Sequence, residues 1–350
     1  MTGKHHKKHA PHAPKNDKSS GRWKSAAKIA FVVGGFYFLV KKGLVSVSLS
    51  DTHRAILNWE VSAPAFAAMT LTTALGVVRW QWLLRAQGIR LPWSRVTQLT
   101  LIGMFFNIAL PGAVSGDFVK AFYIGREIQG QRARAFGSIL FDRVAGLSAL
   151  VLVSATSLAA GLEQFWGTAL FNSIEVMILI AAVAVVGFYG YLFLVRERHD
   201  PVLRLLRRIV HKHPRAGSLE RIYVSLRHYH NHRAEVMRVL LLSVVIHLIV
   251  GWACRAFAFS MGDDLAMLPV YVVTPLGLLF TAIPVLPAGI GTGHVAFSFL
   301  FKLIGSAHGA DIYTMFAIAN IGVGLVGGLV YLRFRTHEPK PVFDRIGAEA

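Results

Sequence analysis

Apolar residues gather in eight runs along the chain, near 26–44, 61–84, 99–125, 136–160, 170–195, 239–260, 268–305 and 311–332. A helix needs about 20 apolar residues to cross a bilayer. Six of the runs read as single spanning helices on that measure. The run 26–44 is the weakest, because Lys41 and Lys42 interrupt it. The runs 99–125 and 268–305 carry Pro and Gly in their middles. Each is therefore expected to break into two short helices, since Pro removes a backbone donor and clashes with the preceding turn. The pattern predicts an all-α polytopic membrane protein with six full spans plus two broken re-entrant hairpins.

The polar links between the runs differ in charge. Residues 1–28, 85–98, 126–135, 196–238 and the stretch after Leu332 hold most of the 37 Lys and Arg residues. The links near 41–60, 161–169, 261–267 and 306–310 hold Asp51, Glu60, Glu163, Asp263 and Asp264. Basic links stay in the cytoplasm. Both termini are thus expected in the cytoplasm, with the protein multi-pass in a bacterial-type inner membrane. This sidedness makes 99–125 enter and return on the cytoplasmic face and 268–305 on the outer face. The chain divides into a basic tail (1–25), a transmembrane domain (26–333) and a second cytoplasmic tail (334–350).

Within the domain, 26–160 and 170–332 each read span, span, hairpin, span, in opposite orientation. That is an inverted repeat. The tips align as Leu110-Pro111-Gly112-Ala113-Val114-Ser115-Gly116-Asp117 and Leu286-Pro287-Ala288-Gly289-Ile290-Gly291-Thr292-Gly293. Unwound backbone at membrane depth is tolerated only where protein buries it or water fills a cavity. Matching breaks in two inverted halves point to a transporter's substrate site.

Composition excludes the soluble alternatives. Of 350 residues, 54% are hydrophobic and 16% charged, against about 25% charged in a soluble domain. The net charge of +19 suggests nucleic acid, but the basic residues sit in topogenic links, so no nucleic-acid partner is expected. One cysteine, Cys254, excludes a disulfide framework and a Cys-based zinc site; no metal site or cofactor is expected. Trp59, Trp80, Trp82, Trp93, Trp166 and Trp252 lie mostly near span ends, as an interfacial aromatic belt does. Gly322, Gly324 and Gly327 spell GxGxxG inside a span and read as close helix packing. Gly324 and Gly328 suit either packing in the bundle or a homodimer face. His228, His230 and His232 alternate and read as scattered around a helix. The 196–238 link carries apolar residues at helical spacing and reads as two amphipathic helices on the cytoplasmic lipid surface.

The candidate chemistry lies at the two tips. Asn107, Pro111, Ser115, Gly116, Asp117 and Lys120 form the first. An ionisable group inside the membrane is costly and marks a functional site by default. Asp117 can pair with Lys120 one turn on, and Ser115 or Asp117 can cap the second half-helix. The free N–H groups at such a start favour an anion. Arg143, beside Asp142 in the following span, can fork onto a phosphate or onto Asp117. Pro287, Gly289, Gly291 and His294 form the second tip. Arg79 and Arg255 lie near span ends and read as snorkelling side chains.

The series Arg79-Trp80, Gly103, Phe106-Asn107, Leu110-Pro111, Ser115-Gly116-Asp117, Asp142-Arg143, Gly146, Pro284, Pro287 and Gly289-Ile290-Gly291 resembles the lysylphosphatidylglycerol synthase transmembrane family of flippase-like proteins. That family's first tip usually reads Gly-Gly-Asp and then a basic residue, and its second ends in Gly and Glu. Here Ser115 replaces a glycine, and Thr292, Gly293 and His294 follow Gly291. Well-known members add a cytoplasmic aminoacyltransferase domain; only 18 residues follow Leu332 here. The resemblance implies binding or translocation of an anionic phospho- or isoprenoid lipid, without the aminoacylating reaction and without enzymatic activity. Its expected partners are a membrane lipid and either a second copy of the chain or a lipid-synthesis enzyme. The competing readings are an integral-membrane enzyme with Asp117 as general base and a non-transporting subunit of a lipid-synthesis complex.

Overall fold

The computed structural model describes residues 48–109, 115–128, 130–282 and 291–335. The expected span 26–44, the tail 1–25, residues 336–350 and the tip residues Pro111, Pro287 and Gly289 lie outside the described residues. Every regular element among the described residues is helical: α1 (Leu49–Leu57), α2 (Trp59–Ala86), α3 (Trp93–Ala109), α4 (Ser115–Glu127), α5 (Arg132–Ala160), α6 (Leu162–Phe165), α7 (Ala169–Leu194), α8 (Pro201–Lys212), α9 (Gly217–Arg227), α10 (Arg233–Ser260), α11 (Met267–Thr281), α12 (Thr292–Leu303) and α13 (Gly309–Arg335), with three short 3₁₀ turns between them.

Among the described residues five helices are long and apolar enough to cross a membrane: 59–86, 132–160, 174–194, 233–260 and 309–333. They correspond to five of the six expected spans. α5 and α10 begin four and six residues before their apolar runs, because basic first turns continue the helix past the apolar stretch. Each broken run folds as two short helices packed on one another, α3 with α4 and α11 with α12. Along α7, Val176, Leu179, Ile180, Val183 and Val186 all face outward. In a bilayer such side chains meet acyl chains, so their exposure needs no protein partner.

The most extensive helix contacts join α2 to α10, α3 to α13 and α5 to α11. The glycines of α13 permit the second. A Cβ on Gly327 would overlap the Leu101 carbonyl, and one on Gly324 or Gly328 would meet the side chain of Ile108 or Phe105. Small residues let helix backbones approach closely, the main source of packing energy between helices in lipid. Gly324 and Gly328 are therefore covered inside the chain, and neither offers a free dimer face.

Two expectations change here. Trp80 is not part of an aromatic belt. It is buried, and its Nε1 donates to Ser138 Oγ at 3.2 Å. The 196–238 link does form two amphipathic helices, α8 and α9, but α9 docks on α5 rather than lying on lipid. α8 keeps an exposed apolar face through Val202, Leu205 and Ile209, and α9 leaves Leu219 and Val224 exposed.

A buried latch fixes this helix pair to the bundle. Asp200 caps α8 by accepting from the Leu203 N–H at 2.9 Å. It also accepts from the Tyr191 and Tyr223 hydroxyls at 2.7 and 2.8 Å and pairs with Arg227 at 3.1 Å. Arg227 in turn donates to the carbonyls of Tyr191, Leu192 and Val195. These carbonyls lie at the C-terminal end of α7 and just beyond it, where helix carbonyls run out of intrahelical partners; the Tyr191 carbonyl also accepts from the Val195 N–H at 3.2 Å. Burial alone pushes the Asp200 carboxyl up. The Leu203 N–H, the two tyrosines and the Arg227 charge outweigh it and hold the carboxyl below its ordinary range.

Candidate functional site

The site begins at a contact between two glycines. A Cβ on Gly116 would overlap the Gly103 carbonyl, so only glycine lets the start of α4 lie this close to α3. The approach brings Asn107 to α4, and its Oδ1 accepts from the Gly116 N–H at 2.7 Å. Ser115 Oγ donates to the Phe106 carbonyl at 3.1 Å. Capping of α4 was expected from Ser115 or Asp117. Instead Asn107 reaches across the break for Gly116, which takes one N–H away from any anion at this helix start. Asp117 turns elsewhere.

Asp117 Oδ2 accepts from Arg143 Nε at 2.5 Å. Its Oδ1 lies 3.9 Å from Lys120 Nζ, the expected one-turn pair. The Lys120 ammonium also sits 4.9 Å from the centre of the Trp80 ring, a cation–π contact. The Ser138 bond holds that ring in place. The carboxylate of Asp117 and the Lys120 side chain are only 11% and 13% exposed, whereas Arg143 is 43% exposed. Among the described residues Arg143 has no hydrogen-bond partner except Asp117, so both of its Nη groups remain available. Arg143 stands eleven residues into α5, about 16 Å along the helix.

The neighbouring residue reaches the other way. Asp142 receives a two-pronged contact from Arg79, Nε to Oδ1 at 2.7 Å and Nη2 to Oδ2 at 3.1 Å, and Arg79 Nη1 donates to Ser243 at 3.1 Å. Arg79 does not snorkel; it is 14% exposed and neutralised within the bundle. Arg255 fits the expectation better, since it reaches the Leu265 carbonyl and Asp264 at the end of its span. Consecutive residues of α5 thus tie α2 and α10 on one side to α4 on the other. The cluster holds three cations, Arg79, Lys120 and Arg143, against two carboxylates, Asp117 and Asp142. Trp80 and Ser243 were not foreseen as members. An Arg and an Asp inside apolar runs were the available signal, but their pairing spans 63 positions.

The second tip is built differently. Gly291 has φ +92°, a backbone that favours glycine. Its N–H donates to His294 Nδ1 at 3.3 Å. His294 Nε2 lies 3.2 Å from Thr314 Oγ1, and its ring meets Tyr313 edge-on at 4.7 Å. His294 is 4% exposed and bonded on both nitrogens, as a structural histidine is. Thr314 precedes Gly324, where α3 packs, by ten residues, about 15 Å along α13. The structure brings Asn107, Ser115, Gly116, Asp117, Lys120 and Arg143 together. It holds Gly291 and His294 at a different helix start, against the beginning of α13.

The histidines of the link also depart from expectation. His228 and His232 are not scattered: the 3₁₀ turn His228–Asn231 sets their Nε2 atoms 3.2 Å apart. No group of three His, Cys, Asp or Glu side chains suited to a metal ion occurs among the described residues.

Comparison with known proteins places this architecture. The family described as lysylphosphatidylglycerol synthase TM region matches residues 25–328. A UPF0104 membrane protein of Methanothermobacter thermautotrophicus is 25% identical over 341 residues, covering 88% of this chain and 91% of its own. A UPF0104 membrane protein of Pyrococcus horikoshii is 23% identical over 286 residues, covering 76% and 84%. No solved structure matches the chain. With five helices among the described residues long and apolar enough to cross a membrane and a family match over most of its length, this is a multi-pass membrane protein, and it belongs to the lysylphosphatidylglycerol synthase TM region family.

Proposed function

We propose that the protein binds an anionic lipid by its phosphate-bearing headgroup and moves it across the inner membrane, without an enzymatic step. The observation that carries this reading is the charge cluster around Asp117. It has one cation more than it has carboxylates, and its most accessible member, Arg143, has a guanidinium edge without a partner among the described residues. A planar guanidinium matches a phosphate with two parallel hydrogen bonds. Charge stranded in a membrane is expensive unless paired, so the surplus cation favours an anionic visitor. Lys120, turned to Asp117 and Trp80, is the second cation at that place. The general-base reading of Asp117 is weaker, because both carboxylate oxygens face cations.

The same reading includes the finer architecture. The 99–125 and 268–305 segments serve as re-entrant hairpins of two inverted halves, with both termini and the α8–α9 pair in the cytoplasm. The helix pairing supports it. Under the repeat α2 corresponds to α10, α3 to α11 and α5 to α13. The second spans pack on one another, and the first arm of each hairpin packs on the last span of the opposite half. Purified protein in vesicles tests the function. Fluorescent phosphatidylglycerol is expected to become accessible to an added quencher faster than in protein-free vesicles, and phosphatidylcholine is expected to lag. Equal rates with and without protein would remove transport from the account.

A further inference from the structure

The cytoplasmic face carries a cavity of about 780 Å³ between the start of α5 and the α8–α9 pair. Arg134, Arg196 and Arg221 line it. Neither Arg134 nor Arg196 has a hydrogen-bond or ion-pair partner among the described residues, and Arg221 donates only to Ser218 Oγ at 3.1 Å. The one carboxylate in the lining, Glu220, is engaged by Arg207 at 3.3 Å. Gln131 also lines the cavity, and its Oε1 is buried without a partner. His228 is held below its ordinary range by burial, then by His232 and Arg134, so the positive charge here comes from the arginines. Arg227 is already committed to Asp200.

A second groove, about 490 Å³, adjoins it and shares Ala133 and Arg221 with it. Its walls are mostly apolar, with Phe118 and Phe122 of α4, Phe136 of α5 and Ile222 of α9, beside Ser218 and Arg132, whose Nε donates to the Gly125 carbonyl at 3.1 Å. Phe118 follows Asp117 in sequence, so the groove runs to the helix that carries the first site. A basic cavity joined to an aromatic groove is complementary to an amphiphile with an anionic head. A soluble phosphate compound would have no use for the groove.

We infer that this cavity holds the phosphate headgroup of an acidic phospholipid from the cytoplasmic leaflet, with an acyl chain along the Phe118–Phe122–Phe136 groove. It is a loading place for the lipid that Arg143 later receives, and in that respect rests on the proposed function. Arg134 and Arg221 hold the phosphate. Arg221, on the boundary of the two hollows, sets the depth at which head gives way to chain.

Binding here can be read separately from transport. Cys254 is fully buried, so a cysteine placed at Val224, exposed in the cavity wall, takes an environment-sensitive fluorophore alone. The full chain in neutral detergent is titrated with short-chain phosphatidylglycerol, with phosphatidylcholine of the same chains, and with glycerol phosphate. Phosphatidylglycerol is expected to give a saturable change. The Arg134→Gln plus Arg221→Gln variant is expected to bind about tenfold more weakly or worse, as loss of two charged hydrogen bonds implies. Lys at both positions is expected to retain part of the binding, and Arg143→Lys to leave the midpoint unchanged even where transport is lost. An equal response to phosphatidylcholine, or an unchanged midpoint in the Gln variant, would overturn the proposal. Glycerol phosphate binding as tightly as the lipid would make this a soluble-phosphate site and overturn it also. If the Gln variant fails to fold, the comparison of the three ligands on the unaltered arginines still decides.

Discussion

Asp117 is the residue on which the charge cluster turns, since it faces Arg143 at 2.5 Å and Lys120 at 3.9 Å. Replacing it with Asn leaves the buried Lys120 and the partly exposed Arg143 without the carboxylate that both face. Asp117→Asn is expected to cost about 1–3 kcal/mol, the usual price of an uncompensated buried polar group, seen as a lower thermal midpoint in detergent. Adding Arg143→Gln should restore part of that loss, because the second change removes the stranded charge; simple additivity would show that the two do not form one unit. The Arg79–Asp142 fork is well covered on both sides, at 14% and 15% exposure. Asp142→Asn should cost about 3–5 kcal/mol, as breaking a buried pair does, and a variant as stable as the parent would contradict the geometry. The sequence alone marks Asp117, Lys120, Asp142 and Arg143 as ionisable groups within apolar runs. It does not give their partners, because a local turn links only Asp117 to Lys120. Arg79 is far away in the chain and reads as a snorkelling end residue until the bundle is assembled.

Two glycine contacts and one latch control how the elements meet. The α3–α4 crossing depends on Gly103 and Gly116: an added methyl on Gly116 would strike the Gly103 backbone, and one on Gly103 would meet the Lys120 side chain. Gly116→Ala is therefore expected to displace Asn107 and Asp117 together and to reduce stability by about 1–3 kcal/mol, typical of overpacking. Gly76→Ala, where nothing lies within 4 Å, serves as the neutral control. The Asp200–Arg227 latch has a pH signature. The folded carboxyl is held below its ordinary value, so its contribution is complete above the unfolded pKa and is lost as pH falls through the folded one. Proteolysis of the α8–α9 pair should rise as the medium is acidified below about pH 4, and Asp200→Asn should make the pair labile at neutral pH as well. Helix positions were legible here because apolar period and length set them. The docking of α9 on α5 was not, since a charged amphipathic helix reads the same whether it covers lipid or protein. The Asn107 cap was also hidden, because a residue from the preceding helix supplies the acceptor expected from the helix's own start.

At the scale of the whole molecule, the alternation of basic and acidic links is the ground for the proposed sidedness and repeat. The buried Cys254 leaves a clean background for cysteine mapping in intact cells. A cysteine at Asp264 should label from outside, and one at His211, on the exposed side of α8, should label only after the membrane is opened. Labelling at 211 from outside would reverse the orientation and with it the loading place in the cytoplasmic leaflet. The all-helical membrane architecture and the family could be read from the chain because spans, breaks and links each leave a compositional trace. The gathering of six predicted site residues at one tip could not. That depends on which helix faces which, and His294, for all its position in the second tip, is held by Thr314 and Gly291 instead. The central claim is that Arg143 offers its free edge to a lipid phosphate, and the most direct measurement is phosphatidylglycerol translocation by Arg143→Lys in vesicles. The variant keeps the positive charge beside Asp117 but not the two-pronged contact. The account predicts a folded protein with translocation reduced about tenfold or more, the loss expected from a charged hydrogen bond. Translocation at the parent rate would contradict it.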